Sequence, residues 1–414
     1  MAALLSDADL AAGARLMARL DAFAAFTDEP GRLTRLFLSG AHRRAADAFI
    51  GWCGEAGLKA RIDAAGNVVA RYEGKREGAP ALLLGSHIDT VRDAGRYDGN
   101  YGALAALAVV EGLRARGERV DHAVEIVAFG DEEGVRFRTT LTGSRALAGT
   151  YDEDFLDQKD SSGVVMRDAL KTFGGDPDKV GAIRADNAVA FVEAHIEQGP
   201  VLEAEGLPLG IVSAINGATR LEVGVDGVAG HAGATPMKLR RDALTAAAEM
   251  ALAIEARARG EADLVATVGR LEVWPGATNV IPGHVQFSID LRAPDDLRRA
   301  AALGDLTARI TAIAVARRVR ASLAKTHEAN AFICDPRIAA GLTKAVESLG
   351  VQPRLLPSGA GHDTMIMGRL CPAGMLFVRC KGGISHNPLE SIAVEDCALG
   401  LAALTRFVRD FRIA

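Results

Sequence analysis

The sequence predicts an α/β body interrupted by a smaller α+β domain of ferredoxin-like type, and two patterns carry that expectation. From about residue 60 to residue 130, short apolar runs alternate with helical stretches, the pattern of a sheet buried between helices. Between about residues 214 and 327 the order reads β-α-β-β-α-β, the ferredoxin-like arrangement. The expected organisation is therefore a body formed by residues 1–213 and 328–414, with residues 214–327 inserted.

Each element has its own signature. The opening MAALLSDADLAAGARLMARLDAFAAF carries acids inside its apolar run and lacks a basic start, so it reads as an amphipathic helix and not a secretory signal. Residues 67–72 and 81–85 read as strands, 101–116 as a helix, and 123–129 as a strand ending at Asp131-Glu132-Glu133. In the insert, strands are expected at 221–225, 264–273, 284–291 and 321–326, with helices at 242–259 and 295–318. A last body strand is expected at 373–378.

Composition excludes several classes. The chain has 414 residues and a net charge of −5, from 48 Lys+Arg and 53 Asp+Glu, with no basic block. It has no electrostatic reason to bind nucleic acid or an anionic membrane. At 49% hydrophobic and 24% charged it is not a disordered chain. No run reaches the roughly 18 apolar residues of a membrane span. Five scattered cysteines without a CxxC fit a reducing cytoplasm and no disulfide framework.

Chemistry concentrates in five segments: GSHIDT (85–90), YDGNYG (97–102), Asp131-Glu132-Glu133, AHIEQGP (194–200) and SHNP (385–388). Most border an apolar strand in polar or Gly-rich loops. In His87-x-Asp89 the two side chains point the same way, so the Asp89 carboxylate is expected to accept from the second nitrogen of His87. Adjacent carboxylates such as Glu132 and Glu133 repel unless a cation or a proton compensates them. Three histidines, an aspartate and a glutamate suit a two-cation site with one bridging carboxylate, favouring zinc or manganese.

These segments, in this order from about residue 60 to the end, resemble the M20 metallohydrolase family, in its amidase/carbamoylase branch. The resemblance implies a binuclear-metal exopeptidase-like α/β catalytic domain, with the insert acting as lid and homodimer contact. It implies two divalent ions (Zn2+ or Mn2+), one held by His87 and His195, the other by Glu133 and His386, with Asp98 bridging. It makes Glu132 the general base. His231, in GHAG, would polarise the scissile carbonyl and contact substrate, while Gln198, Asn279, Arg292 and Gly359 would bind substrate. The implied substrate is a small ureido carboxylate, allantoate first, with N-carbamoyl-L-amino acids, or the N-carbamoyl-β-alanine of a β-ureidopropionase, as the alternative. A metallo-exopeptidase or aminoacylase would share the metal site, but His195 stands where related peptidases usually place an acid. A non-catalytic carboxylate-binding protein is the remaining alternative, and the presence of every ligand and of Glu132 weighs against it. His362 is left between a structural role and a place behind the site.

Overall fold

Two runs with no polar face, Ala81–His87 and Ala373–Val378, are buried at every residue, as strands of a parallel sheet covered on both sides must be. The computed structural model to which they belong describes residues 5–413. Its contacts form two units: one comprises the chain up to Ser213, Cys334–Leu356 and the chain from Ala360 onward, the other Ala214–Ile333 with Pro357–Gly359.

The first unit opens with α1 (Asp7–Phe23), α2 (Gly40–Glu55), β1 (Ala60–Ile62), β2 (Val68–Tyr72) and β3 (Ala81–His87). It continues through α3 (Asn100–Ala115), β4 (Ala123–Phe129), α4 (Thr142–Leu147), α5 (Met166–Phe173), β5 (Ala188–Ile196), α6 (Val201–Ala204) and β6 (Leu209–Ile215). The second unit holds β7 (Gly217–Asp226), β8 (Gly230–His231), α7 (Ala243–Arg259), β9 (Val265–Thr267), β10 (Leu271–Trp274) and β11 (Val280–Ile281). It also holds β12 (His284–Ala293), α8 (Asp296–Arg317), β13 (Arg320–Ala329) and β14 (Phe332–Ile333). The chain then adds α9 (Pro336–Glu347), β15 (Leu355–Ser358), α10 (Asp363–Met367), β16 (Ala373–Val378) and α11 (Val394–Asp410).

The main sheet runs β1-β2-β4-β3-β5-β16-β6. Its centre, β4-β3-β5-β16, is parallel throughout, so the carboxyl ends of four adjacent strands share one edge. In register, His87 lies opposite Phe129 and His195 opposite Phe377. Loops leaving such an edge are where α/β sheets collect their chemistry. The strands expected at 123–129 and 373–378 occupy those residues.

In the second unit, β10-β12-β7-β13 form an antiparallel sheet of ferredoxin-like order, with β9 also paired to β12. Residues alternate between buried and part-exposed along β12, the period of a sheet covered on one face. Val223, Phe287 and Ile289 pack there with Ala246, Met250, Leu306 and Ile310 of α7 and α8. The helices start where acidic caps allow: the Asp242 carboxylate accepts from Leu244 and Thr245, and that of Asp295 from Arg298. The single strand expected at 264–273 is instead two, β9 and β10, both paired to β12. Between them Gly269 breaks the run, and the Ser288 hydroxyl accepts the Arg270 N–H at 3.1 Å in place of a ladder bond. Among the described residues no helix is long and apolar enough to cross a membrane.

Candidate metal centre

The loops after β3, β4, β5 and β16 converge on one buried carboxylate, that of Asp98. His87 Nε2 lies 3.5 Å from Asp98 Oδ1, His195 Nε2 3.2 Å from the same oxygen, and His386 Nε2 3.2 Å from Oδ2. His386 Nε2 also stands 3.7 Å from Glu133 Oε2, and His87 Nε2 3.9 Å from Glu132 Oε2. Possible ligand atoms fall within 4.8 Å of one another in the sets His87–Asp98–His195, Asp98–Glu133–His386 and His87–Glu132–Glu133. A further set, Glu193–His195–His362, lies behind the first.

The ring nitrogens are oriented for metal. His87 Nδ1 donates to the main-chain oxygen of Asp89 at 3.0 Å, and His195 Nδ1 to that of Ile196 at 2.9 Å. With Nδ1 donating to the main chain, each Nε2 faces Asp98: it donates to that carboxylate while protonated and offers its lone pair to a cation once the proton leaves. Asp89 thus steers His87 through its carbonyl; its carboxylate is 3.9 Å from the ring, contrary to the expectation from strand parity. That carboxylate instead accepts the N–H groups of Glu132 and Glu133, at 3.1 and 3.3 Å. It therefore sets the backbone that carries both glutamates.

Backbone conformation is specialised around the centre. Gly99, with φ of 64°, opens α3, and a Cβ there would come within 2.3–2.4 Å of the His87 ring. Asp131, Gln198 and His386 adopt left-handed conformations, with φ of 65°, 58° and 53°, a cost that concentrates in functional loops. Gln198 donates its amide to Asp98 Oδ2 at 2.9 Å and lies 3.3 Å from the Ser385 hydroxyl. The structure thus sets this residue, expected to bind substrate, against the Asp98 carboxylate.

Charges are strongly perturbed. Burial alone would raise Asp98, but hydrogen bonds from His195, His386 and His87 hold it well below the usual carboxylate range. Burial opposes the charged form of His87, yet Asp98, Glu132 and Asp89 raise its pKa well above the ordinary value. The hydrogen bond to Asp98 pushes His386 up to about 9. Burial, then Asp98, pushes Glu133 up to about 7, and one of its oxygens is buried with no hydrogen-bond partner among the described residues. Glu132 is raised well above the usual range by burial, reinforced by Glu133. Uncompensated carboxylates packed with imidazoles, and no thiolate among them, fit divalent cations.

Several supporting residues carry no motif of their own. Arg35 is wholly buried. Its guanidinium donates to the carbonyls of Phe23 and Phe26, to Ile88 O and to Asn100 Oδ1, the last two at 2.9 Å. It thereby ties the loop after His87 to the turn after Asp98. Glu390 accepts from the N–H groups of Tyr97 and Asp98, at 2.8 and 3.1 Å, and from the Ser385 hydroxyl. It stands four residues after His386 in SHNPLE, where an acid close to an expected ligand was the available signal. His362 is buried with its ring edge against His195, centroids 4.6 Å apart, and burial keeps it neutral.

The second unit gathers the other expected residues in two places. His231 and Asn279 lie together on the β8–β11 ribbon, where Ala232 N–H donates to Asn279 O at 2.9 Å. The N–H groups of Gly233 and Ala234 donate to His231 Nδ1. Arg292, on β12, forks onto the Asp290 carboxylate at 2.7 and 3.0 Å and donates to Gly359 O at 2.7 Å.

The model of peptidase family M20/M25/M40 matches residues 83–410, a span that includes every ligand set above. The chain belongs to this family. It is 42% identical to an allantoate deiminase of Arabidopsis thaliana, over 94% of this chain and 80% of that one. It is also 42% identical to an N-carbamoyl-L-amino acid amidohydrolase of Geobacillus stearothermophilus, over 95% and 97%. A solved hydantoinase/carbamoylase family amidase from Burkholderia multivorans superposes with a TM-score of 0.91 at 34% identity, covering 95% and 96% of the two chains. The family and the clustered ligands agree on the use of divalent metal.

Metal must displace protons here. With His386 pushed up to about 9 and Glu133 to about 7, His386 is protonated and Glu133 partly protonated near neutral pH when no cation is bound. Titrating zinc or manganese into metal-free protein at pH 7 should release protons, and affinity should rise as pH increases from 6 to 9. Calorimetry in buffers of different ionisation enthalpy measures both; binding without proton release contradicts this site.

Proposed function

We propose that the chain is a binuclear metal-dependent amidohydrolase cleaving a ureido (N-carbamoyl) C–N bond of a small carboxylate. Allantoate is the first substrate and N-carbamoyl-L-amino acids the second. One water enters per ureido group, and ammonia and carbon dioxide leave. The observation that carries this reading is that Asp98 belongs to two ligand sets while the Glu132 carboxylate stands beside them, outside both. Two relatives at 42% identity, named for allantoate and N-carbamoyl-L-amino acids, support the substrate class. His195 among the ligands favours it over an exopeptidase.

Bound divalent ions, zinc or manganese, supply the Lewis acidity that makes water and a carbonyl reactive near neutral pH. Glu132 takes the proton of the attacking water and delivers it to the departing nitrogen, a poor leaving group until protonated. Burial raises its pKa in the metal-free chain, and beside bound cations it would be drawn down toward the range in which a carboxylate both takes and gives a proton. His231 Nδ1 accepts from two backbone N–H groups, so in the neutral ring Nε2 keeps its hydrogen and donates to the carbonyl oxygen as it becomes an oxyanion. Arg292 grips the substrate carboxylate, with Gln198, Asn279 and Gly359 completing the polar contacts. Five free buried thiols fit a reducing cytoplasm. The open β13 edge, with exposed Leu252 and Val315 on the neighbouring helices, supports a homodimer through the second unit.

Wild-type protein should release ammonia from allantoate or N-carbamoyl-L-amino acids, and Glu132→Gln should lower kcat by about a thousandfold or more with metal content unchanged. Activity confined to dipeptides or N-acyl amino acids removes the ureide reading, and metal loss in Glu132→Gln removes the separate role of Glu132. Arg292→Lys should raise KM about 10- to 100-fold with a smaller change in kcat, from loss of the bidentate grip. Unchanged steady-state kinetics exclude Arg292 from carboxylate binding.

A further inference from the structure

A cleft of about 390 Å³ in the second unit is lined by Asn216, Val265, Thr267, Asp290, Arg292 and Gly359. Arg292 is held rigidly at its wall: three of its five N–H groups are used by Asp290 and Gly359, which leaves two for a ligand oxygen. Asn216 sits between β6 and β7, its main-chain N–H donating to Ser358 O at 2.9 Å, next to Gly359. Its side-chain oxygen is buried and has no hydrogen-bond partner among the described residues. A buried amide oxygen left unpaired is costly, and a ligand that pairs it recovers that cost.

We propose that Asn216 determines specificity by pairing with a second ureido group on the carbon that bears the substrate carboxylate. This rests on the ureide reading and narrows it from ureido carboxylates in general to diureido carboxylates. A primary amide sets a donor and an acceptor side by side, the complement of the C=O and N–H of a ureido group. With the carboxylate on the two free N–H groups of Arg292, a substituent of the same carbon lies in the same cleft. An N-carbamoyl amino acid with an apolar side chain leaves the amide oxygen unpaired, and sites built around a polar partner discriminate strongly against ligands that lack it.

The test compares kcat/KM for allantoate, N-carbamoylglycine and N-carbamoyl-L-leucine in wild type, Asn216→Ala and Asn216→Leu. Allantoate turnover should fall about 10- to 100-fold in both variants, N-carbamoylglycine should stay within about threefold, and N-carbamoyl-L-leucine should be unchanged or improved. An equal fall on all three substrates, or no fall on allantoate, overturns the proposal. If the wild type hydrolyses none of them, the ureide reading fails separately, and calorimetric binding of allantoate decides the role of Asn216. Weaker binding by Asn216→Ala than by wild type sustains it; equal binding, or none by either protein, overturns it.

Discussion

The first unit is organised around the charge of one buried carboxylate. Asp98 meets three imidazole nitrogens at 3.2–3.5 Å; Glu133 shares one of its ligand sets, and Glu132 stands beside them near His87. Carboxylates at this density and burial are unstable unless cations balance them. The surrounding structure delivers that balance with little freedom. Adjacent parallel strands bring His87 and His195 side by side, main-chain carbonyls fix their tautomers, and Glu390 and Arg35 hold the turns at Asp98 and His87. Gly99 leaves the room that the His87 ring occupies.

Much of the α/β body was legible because its central strands are buried on both faces and read as unbroken apolar runs, as at 123–129 and 373–378. The caps of α7 and α8 were legible too, since Asp242 and Asp295 are residue types that satisfy the first free N–H groups of a helix. The run at 264–273 misled because a continuous apolar pattern does not reveal that a glycine and a serine hydroxyl divide it. Asp89 was correctly placed near His87 by strand parity, yet its backbone does the work assigned to its side chain.

Two of the residues missed, Arg35 and Asn216, share one cause. Arg35 sits in LTRLFL with nothing around it to suggest function, and its partners at Ile88 and Asn100 are 53 and 65 residues away. Asn216 is one asparagine beside a glycine, which reads as a turn. Roles of this kind depend on which polar groups the fold brings together or leaves unpaired, a property of topology that residue spacing does not encode. The second unit offers a rigid, partly free guanidinium at Arg292 and an imidazole at His231 whose hydrogen-bonding state is set by backbone N–H groups. Both suit recognition of a small anion and stabilisation of developing negative charge.

Metal stoichiometry in wild type and in Asp98→Asn, measured by elemental analysis after reconstitution with zinc or manganese, tests the central role of Asp98 most directly. A carboxylate shared by two ligand sets predicts two ions per chain in the wild type and loss of both in the variant. Retention of either ion by Asp98→Asn, or a single ion in the wild type, contradicts it.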